Sequence, residues 1–86
     1  MPSWPINPTQ PYIEPNPHHP GRGDARVRGT GISVWALVAY WQASGHDAAQ
    51  TAMDYELPLE AVEAALTYYR QNQGAIDARL EANDAA

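Results

Sequence analysis

Gly29-Thr30-Gly31-Ile32-Ser33-Val34-Trp35-Ala36-Leu37-Val38-Ala39-Tyr40-Trp41 divides this chain in two: the residues before it are proline-rich and irregular, and those after it read as helix. Ile32 and Val34 alternate as a strand end does, and Val34, Leu37, Val38 and Trp41 then fall at i, i+3, i+4 and i+7, one face of a helix. A strand therefore hands over to a helix here. Glycines on both sides of Thr30 admit positive φ, which lets the chain turn sharply into the helix. A turn without a ligand is the simpler account of Gly29 and Gly31, because a lone glycine pair lacks the longer spacing of a phosphate loop.

The chain has 86 residues, enough for one small domain with a thin core. It contains no cysteine, so neither a disulfide nor a cysteine-ligated zinc can staple it, and a reducing, cytoplasmic compartment is the expectation. No apolar run approaches a membrane span, and Met1-Pro2-Ser3-Trp4-Pro5 lacks the charged start and apolar stretch of a signal peptide. The formal net charge of -5 is unevenly spread. Residues 1–30 carry Arg22, Arg26 and Arg28 against Glu14 and Asp24, whereas residues 31–86 carry two arginines against eight acids. An acidic helical body behind a mildly basic front argues against wrapping nucleic acid with the helices and suits a basic protein partner.

Prolines at positions 2, 5, 8 and 11 keep a period of three, that of a polyproline II helix. With Pro15, Pro17 and Pro20 they exclude an α-helix and predict an extended arm over residues 1–11. Trp4, Ile6, Tyr12 and Ile13 make this region too apolar for a purely solvated tail, so the arm is expected to lie on its own domain or on a neighbouring subunit. No basic residue flanks the prolines as an SH3-type ligand would require. Tyr12-Ile13-Glu14 and Ala25-Arg26-Val27-Arg28 have strand character and are separated by dense turn chemistry, which predicts a hairpin with a long loop. Arg26 and Arg28 then share one face while Val27 points the other way, and with Arg22 they form the basic cluster of the chain. Either a solvated face or contact with phosphates or an acidic partner accounts for it. His18 and His19 have no third ligand at a useful spacing, and no metal is expected there.

A first helix is predicted from Ser33 or Val34 to Ser44, with Gly45 at the C-terminal cap. Asp47 followed by Gln50 is a capping-box pattern opening a second helix, on which Ala49, Ala52 and Met53 make a small-residue face. Tyr55-Glu56-Leu57-Pro58 ends it. The last helix begins near Pro58 and carries Leu59, Val62, Leu66, Tyr69, Gln73, Ile76 and Leu80 at alternating steps of three and four. A core of this size is expected to cover the first half of that stripe and leave Ile76 and Leu80 to a partner or to solvent. Gln73 and Gly74 interrupt the stripe, marking a bend or a tail that orders on binding. The fold class is thus mainly α: a short N-terminal β-hairpin (12–72 with the helices), a three-helix, helix-turn-helix-like domain, an extended C-terminal helical tail (73–86) and the proline-rich N-terminal arm (1–11).

No catalytic constellation is visible, and Glu60 and Glu63 read as an exposed acidic face, so the chain is not expected to be an enzyme and no cofactor is expected. Arg28-Gly29-Thr30-Gly31-Ile32-Ser33-Val34, the helix break at Ser44-Gly45, the Asp47-Ala48-Ala49 cap and the run Tyr55-Glu56-Leu57-Pro58 through Ala65-Leu66-Thr67-Tyr68-Tyr69 resemble the family filed as domain of unknown function 433. The resemblance covers most of residues 25–83. Gly31 stands where that family usually has arginine, and Ser33 where it usually has proline. The resemblance implies a bacterial helix-turn-helix protein that serves as the antitoxin of a type II toxin–antitoxin pair, commonly with a PIN-like ribonuclease toxin as partner.

On that basis the acidic body is expected to complement the ribonuclease's positive groove. Tyr69, Ile76 and Leu80 are the expected apolar anchors, with Arg70 or Arg79 reaching the toxin's carboxylates. Autoregulation of the operon would need operator DNA as a further partner, and Arg22, Arg26 and Arg28 are then the expected contacts, because Glu60 and Glu63 make the third helix a poor reader of a groove. A homodimer or higher oligomer is expected from the uncovered stripe and arm. A stand-alone dimeric helix-turn-helix transcriptional regulator is the alternative, though it should be more basic than pI 4.8. A structural interaction module that binds neither toxin nor DNA is a third.

Overall fold

A computed structural model describes residues 11–19 and 21–85. The proline-rich arm, Pro11 excepted, lies outside them, as do Trp4 and Ile6. The strands β1 (Ile13–Glu14) and β2 (Arg26–Val27) flank a 3₁₀ turn at Arg22–Asp24, and four helices follow: α1 (Val34–Ala43), α2 (Ala48–Asp54), α3 (Leu59–Gln71) and α4 (Gln73–Ala85). The molecule is mainly helical with a short antiparallel hairpin near its N-terminus, as the sequence pattern predicts.

The hairpin pairs Ile13 with Val27 and Glu14 with Arg26, which puts Ile13 and Val27 together in the core. At the hand-over, Gly29 (φ 79) and Gly31 (φ 76) take the left-handed backbone that a side chain resists. Thr30 locks the turn between them: its hydroxyl donates to the Val27 carbonyl at 2.9 Å and accepts from the Ile32 amide at 2.9 Å. The chain then runs back along β2, with the Val27 amide donating to the Ile32 carbonyl at 2.7 Å and the Val34 amide to the Ala25 carbonyl at 2.9 Å. α1 therefore starts where the pairing ends, and it buries Val34, Leu37 and Val38.

Ser44 ends α1, Gly45 (φ 78) comes next, and Asp47 caps α2 by accepting the Gln50 amide at 2.9 Å. The reciprocal half of the capping box is absent, because the Gln50 side chain donates forward to Asp54 Oδ1 at 2.8 Å. The expected small-residue face of α2 is also rotated. Thr51 and Ala52 are buried, Ala49 is exposed and Met53 is 71% exposed. Thr51 can be buried because its hydroxyl donates to the Asp47 carbonyl at 2.8 Å.

The C-terminal third departs most from the pattern. The stripe does not continue along one helix, since Asn72 (φ -131, ψ 35) breaks it and α4 folds back on α1 and the 3₁₀ turn. Asn72 ends α3 with its own side chain, whose amide donates to the Tyr68 carbonyl at 3.0 Å, a local bond that competes with helix continuation. The bend expected at Gln73-Gly74 is thus present, at the adjoining Asn72, and Gly74 lies inside the first turn of α4. Ile76 is consequently buried completely in the core, and Leu80 packs against it half-buried. The expectation that nothing within the chain covers these two residues is thereby overturned.

The 3₁₀ turn receives α4. A Cβ on Gly23 would sit 2.7 Å from the Ala75 carbonyl oxygen, so only glycine permits this approach. Arg79 Nε donates to Asp24 Oδ1 at 3.0 Å, and its guanidinium lies 4.6 Å from the Trp35 ring centre. Ile76→Ala is expected to cost about 2–5 kcal/mol by urea denaturation, as for a large-to-small change in a closed core. Gly23→Ala should cost about 1–3 kcal/mol through overpacking. A stability unchanged by Ile76→Ala would mean that α4 is not docked in solution.

Candidate interaction surfaces

The hairpin carries Arg26 and, just past β2, Arg28. Arg26 Nε meets Glu14 Oε2 at 2.7 Å, and Arg28 Nη1 lies 3.5 Å from Glu14 Oε1, so one carboxylate across the strand pair serves both guanidinium groups. Arg28 also donates from Nε to the Pro11 carbonyl at 2.8 Å and from Nη2 to the Ile13 carbonyl at 3.3 Å. Arg26 and Arg28 do share a face as the strand pattern requires, but Glu14 neutralises one of their two charges. Arg22 belongs instead to the 3₁₀ turn, where it is exposed, and its carbonyl accepts the Tyr68 hydroxyl at 2.8 Å. Burial pushes the Tyr68 phenol up to about 12, with Arg22 pulling weakly the other way.

Of the five residues expected to hold a toxin, Arg70 alone is exposed. Tyr69 is half-buried and donates its hydroxyl to Asp77 Oδ1 at 2.8 Å, and burial first, then that bond, raises its pKa. Ile76 is core, Arg79 is held by Asp24 and Trp35, and Leu80 packs on the core. These side chains dock α4 on its own domain.

A surface that the sequence pattern does not single out lies where α2 meets α3. Met53 is 71% and Leu59 41% exposed, and between and beside them Asp54, Glu56, Glu60 and Glu63 are exposed. Tyr40, itself partly exposed on α1, donates its hydroxyl to Asp54 Oδ2 and stacks edge-on against Tyr55 with ring centres 5.4 Å apart. The bond to Asp54 is the main reason the Tyr40 pKa is raised. Glu56 takes φ 55, an uncommon backbone for a residue of its size. Met53 is hidden from sequence reasoning because the pattern assigns it to the packed face of α2. Leu59 is hidden because it opens the apolar stripe of α3, ahead of the first residues that the core covers. Among the described residues no three His, Cys, Asp or Glu side chains are placed to hold a metal, and His18 and His19 are both exposed.

This geometry defines a small helical domain with surfaces of opposite charge. Residues 17–69 match the family described as a protein of unknown function, DUF433, and the chain belongs to that family. The match takes in Arg22, Arg26 and Arg28 and the α2–α3 corner, and it ends before α4. No curated protein and no solved structure matches the chain. No helix among the described residues is long and apolar enough to cross a membrane.

Where the hairpin does contact duplex DNA, Glu14→Gln should free the charge of Arg26 and Arg28 and steepen the salt dependence of that binding by roughly one phosphate contact. An unchanged slope would place these arginines off the phosphates. Tyr68 sets an alkaline limit. Below its ordinary value near 10 both the folded and unfolded chains hold the proton. As pH rises toward about 12 the unfolded chain releases it first, so stability falls through that window. Thermal melts of Tyr68→Phe should show a shallower fall there than the wild type.

Proposed function

We propose that this protein is the antitoxin of a type II toxin–antitoxin pair, a binding protein rather than an enzyme, whose partner is a PIN-like ribonuclease. The observation that carries the reading is the polarity of the helical body. Asp54, Glu56, Glu60 and Glu63 are exposed on α2, α3 and their junction, and among the described residues they enter none of the ion pairs, which lie at Glu14 and at Asp24–Arg79. An exposed acidic surface of this kind complements a protein groove that is positive toward RNA and hastens its encounter. Family membership supports the reading through the toxin–antitoxin role that the resemblance implies.

Autoregulation is the second part of the proposal, with Arg22, Arg26 and Arg28 touching operator phosphates. Within that set Arg22 and Arg28 carry the larger share, because Arg26 is more tightly held by Glu14, with 28% of its side chain exposed against 52% for Arg28. The expectation of self-association loses the support of Ile76, which is core, and keeps that of the apolar residues of the arm, of which Trp4 and Ile6 lie outside the described residues.

The test is to look beside this gene for a PIN-like ribonuclease gene and, with its product, to measure co-purification and inhibition. The expected result is a stable complex in size-exclusion chromatography and loss of RNA cleavage at equimolar antitoxin. A ribonuclease that cleaves RNA at an undiminished rate in its presence, while the protein binds operator DNA, would overturn the antitoxin reading and establish a stand-alone regulator.

A further inference from the structure

The geometry points to the α2–α3 corner, centred on Met53 and Leu59, as the docking surface for a basic, apolar-edged face of a partner protein. The inference rests on the antitoxin reading for the partner's identity but on independent observations for the place. Met53 and Leu59 are the two most exposed large apolar side chains among the described residues. They sit within one stretch of seven residues, and the faces they leave behind are already filled, by Thr51 and Ala52 on α2 and by Ala61 and Val62 on α3.

Charge decides what covers them. Asp54, Glu56, Glu60 and Glu63 are exposed within a few residues of the two apolar side chains, so a second copy pairing two-fold through this same face would bring like charges together, and nucleic acid would be repelled by the same carboxylates. A partner face that presents arginine or lysine around an apolar pocket meets both requirements. The C-terminal alternative is closed, because Ile76 and Arg79 are engaged within the domain.

The corner is also held ready for binding. Asp54 is gripped by the Tyr40 hydroxyl and by Gln50 Nε2, Tyr55 lies against Tyr40, and the Leu57 amide donates to the Ala52 carbonyl at 2.9 Å. Glu56 is thereby kept in its left-handed backbone beside Met53, whose carbonyl accepts the Glu56 amide at 3.2 Å. A surface already fixed in shape loses little freedom on binding.

The full-length chain, isotope-labelled for NMR, would be titrated with three probes at low salt. These are a short amphipathic peptide of leucine and lysine, its leucine–glutamate counterpart and a short DNA duplex. Shifts should concentrate at residues 53–63 with the leucine–lysine peptide alone. Met53→Ser with Leu59→Ser, an exposed pair whose melting should match wild type, should weaken that binding about tenfold or more at unchanged charge. Glu60→Lys with Glu63→Lys should weaken it comparably. Equal binding by the serine variant, shifts mapped to α4 or the hairpin, or equal binding of the glutamate peptide or the duplex would overturn the proposal. Binding to a PIN-like ribonuclease, the partner of the antitoxin reading, separates the two readings. If wild type and serine variant hold it equally, the surface is wrong and the antitoxin reading stands. If neither holds it while the peptide still depends on Met53 and Leu59, the antitoxin reading fails and the surface stands.

Discussion

The 3₁₀ turn at Arg22–Asp24 is the piece on which the rest of the molecule depends. It is clamped from both sides: the Tyr68 hydroxyl on α3 reaches the Arg22 carbonyl, and Arg79 on α4 reaches the Asp24 carboxylate. Between these bonds Gly23 lets the backbone of α4 approach to where a Cβ would collide with the Ala75 carbonyl. The Asp24–Arg79 bond alone is a half-exposed ion pair of the kind worth about 1 kcal/mol or less. Ile76, buried completely, supplies the larger share, at roughly 1.5–3 kcal/mol for a side chain of its size. The ion pair and the Trp35 contact therefore position a helix that apolar burial holds.

Closing α4 on the domain settles how the charges are used. Asp24 and Glu14 are taken up by Arg79, Arg26 and Arg28, and with exposed Arg22 the hairpin and 3₁₀ turn keep a mildly positive balance. The acids of α2 and α3 have no such partners in the ion pairs of the described residues. The formal charge of -5 thus comes from the helices, and the negative field of the exposed acids of α2 and α3 favours encounter with a basic protein over encounter with nucleic acid.

Much of this architecture was legible in the residues. The alternation at Ile32 and Val34 succeeded by helical spacing, the glycines around Thr30 and the Asp47 cap are local signals, and local geometry obeys them. The fate of Ile76 was not legible, because a heptad stripe says which residues share a face and says nothing about a chain reversal. That reversal depends on one asparagine satisfying the Tyr68 carbonyl and on a glycine some fifty residues earlier leaving room for the returning helix. Arg26 and Arg28 were placed on one face correctly, yet their shared use of Glu14 depends on strand register, which two-residue strands specify weakly.

The exposed corner is a consequence of the brevity of α2. A helix of seven residues makes barely two turns and presents a narrow buried face, here Thr51 and Ala52. Every other large side chain on it must face outward or reach the flanking turn, and Met53, one position beyond Ala52, is rotated about 100° away from the core. Leu59 is in the same position at the other end of the turn: it is the first residue of α3, and the buried residues of that helix begin only at Ala61 and Val62. A longer α2 would have given Met53 a neighbouring turn to pack against. The short helix instead leaves methionine, a flexible and polarizable side chain suited to irregular surfaces, exposed six residues from an exposed leucine, with exposed carboxylates between and after them. The apolar pair that the proposed partner would cover is thus a product of helix length, and the carboxylates near it favour a basic partner over an acidic one.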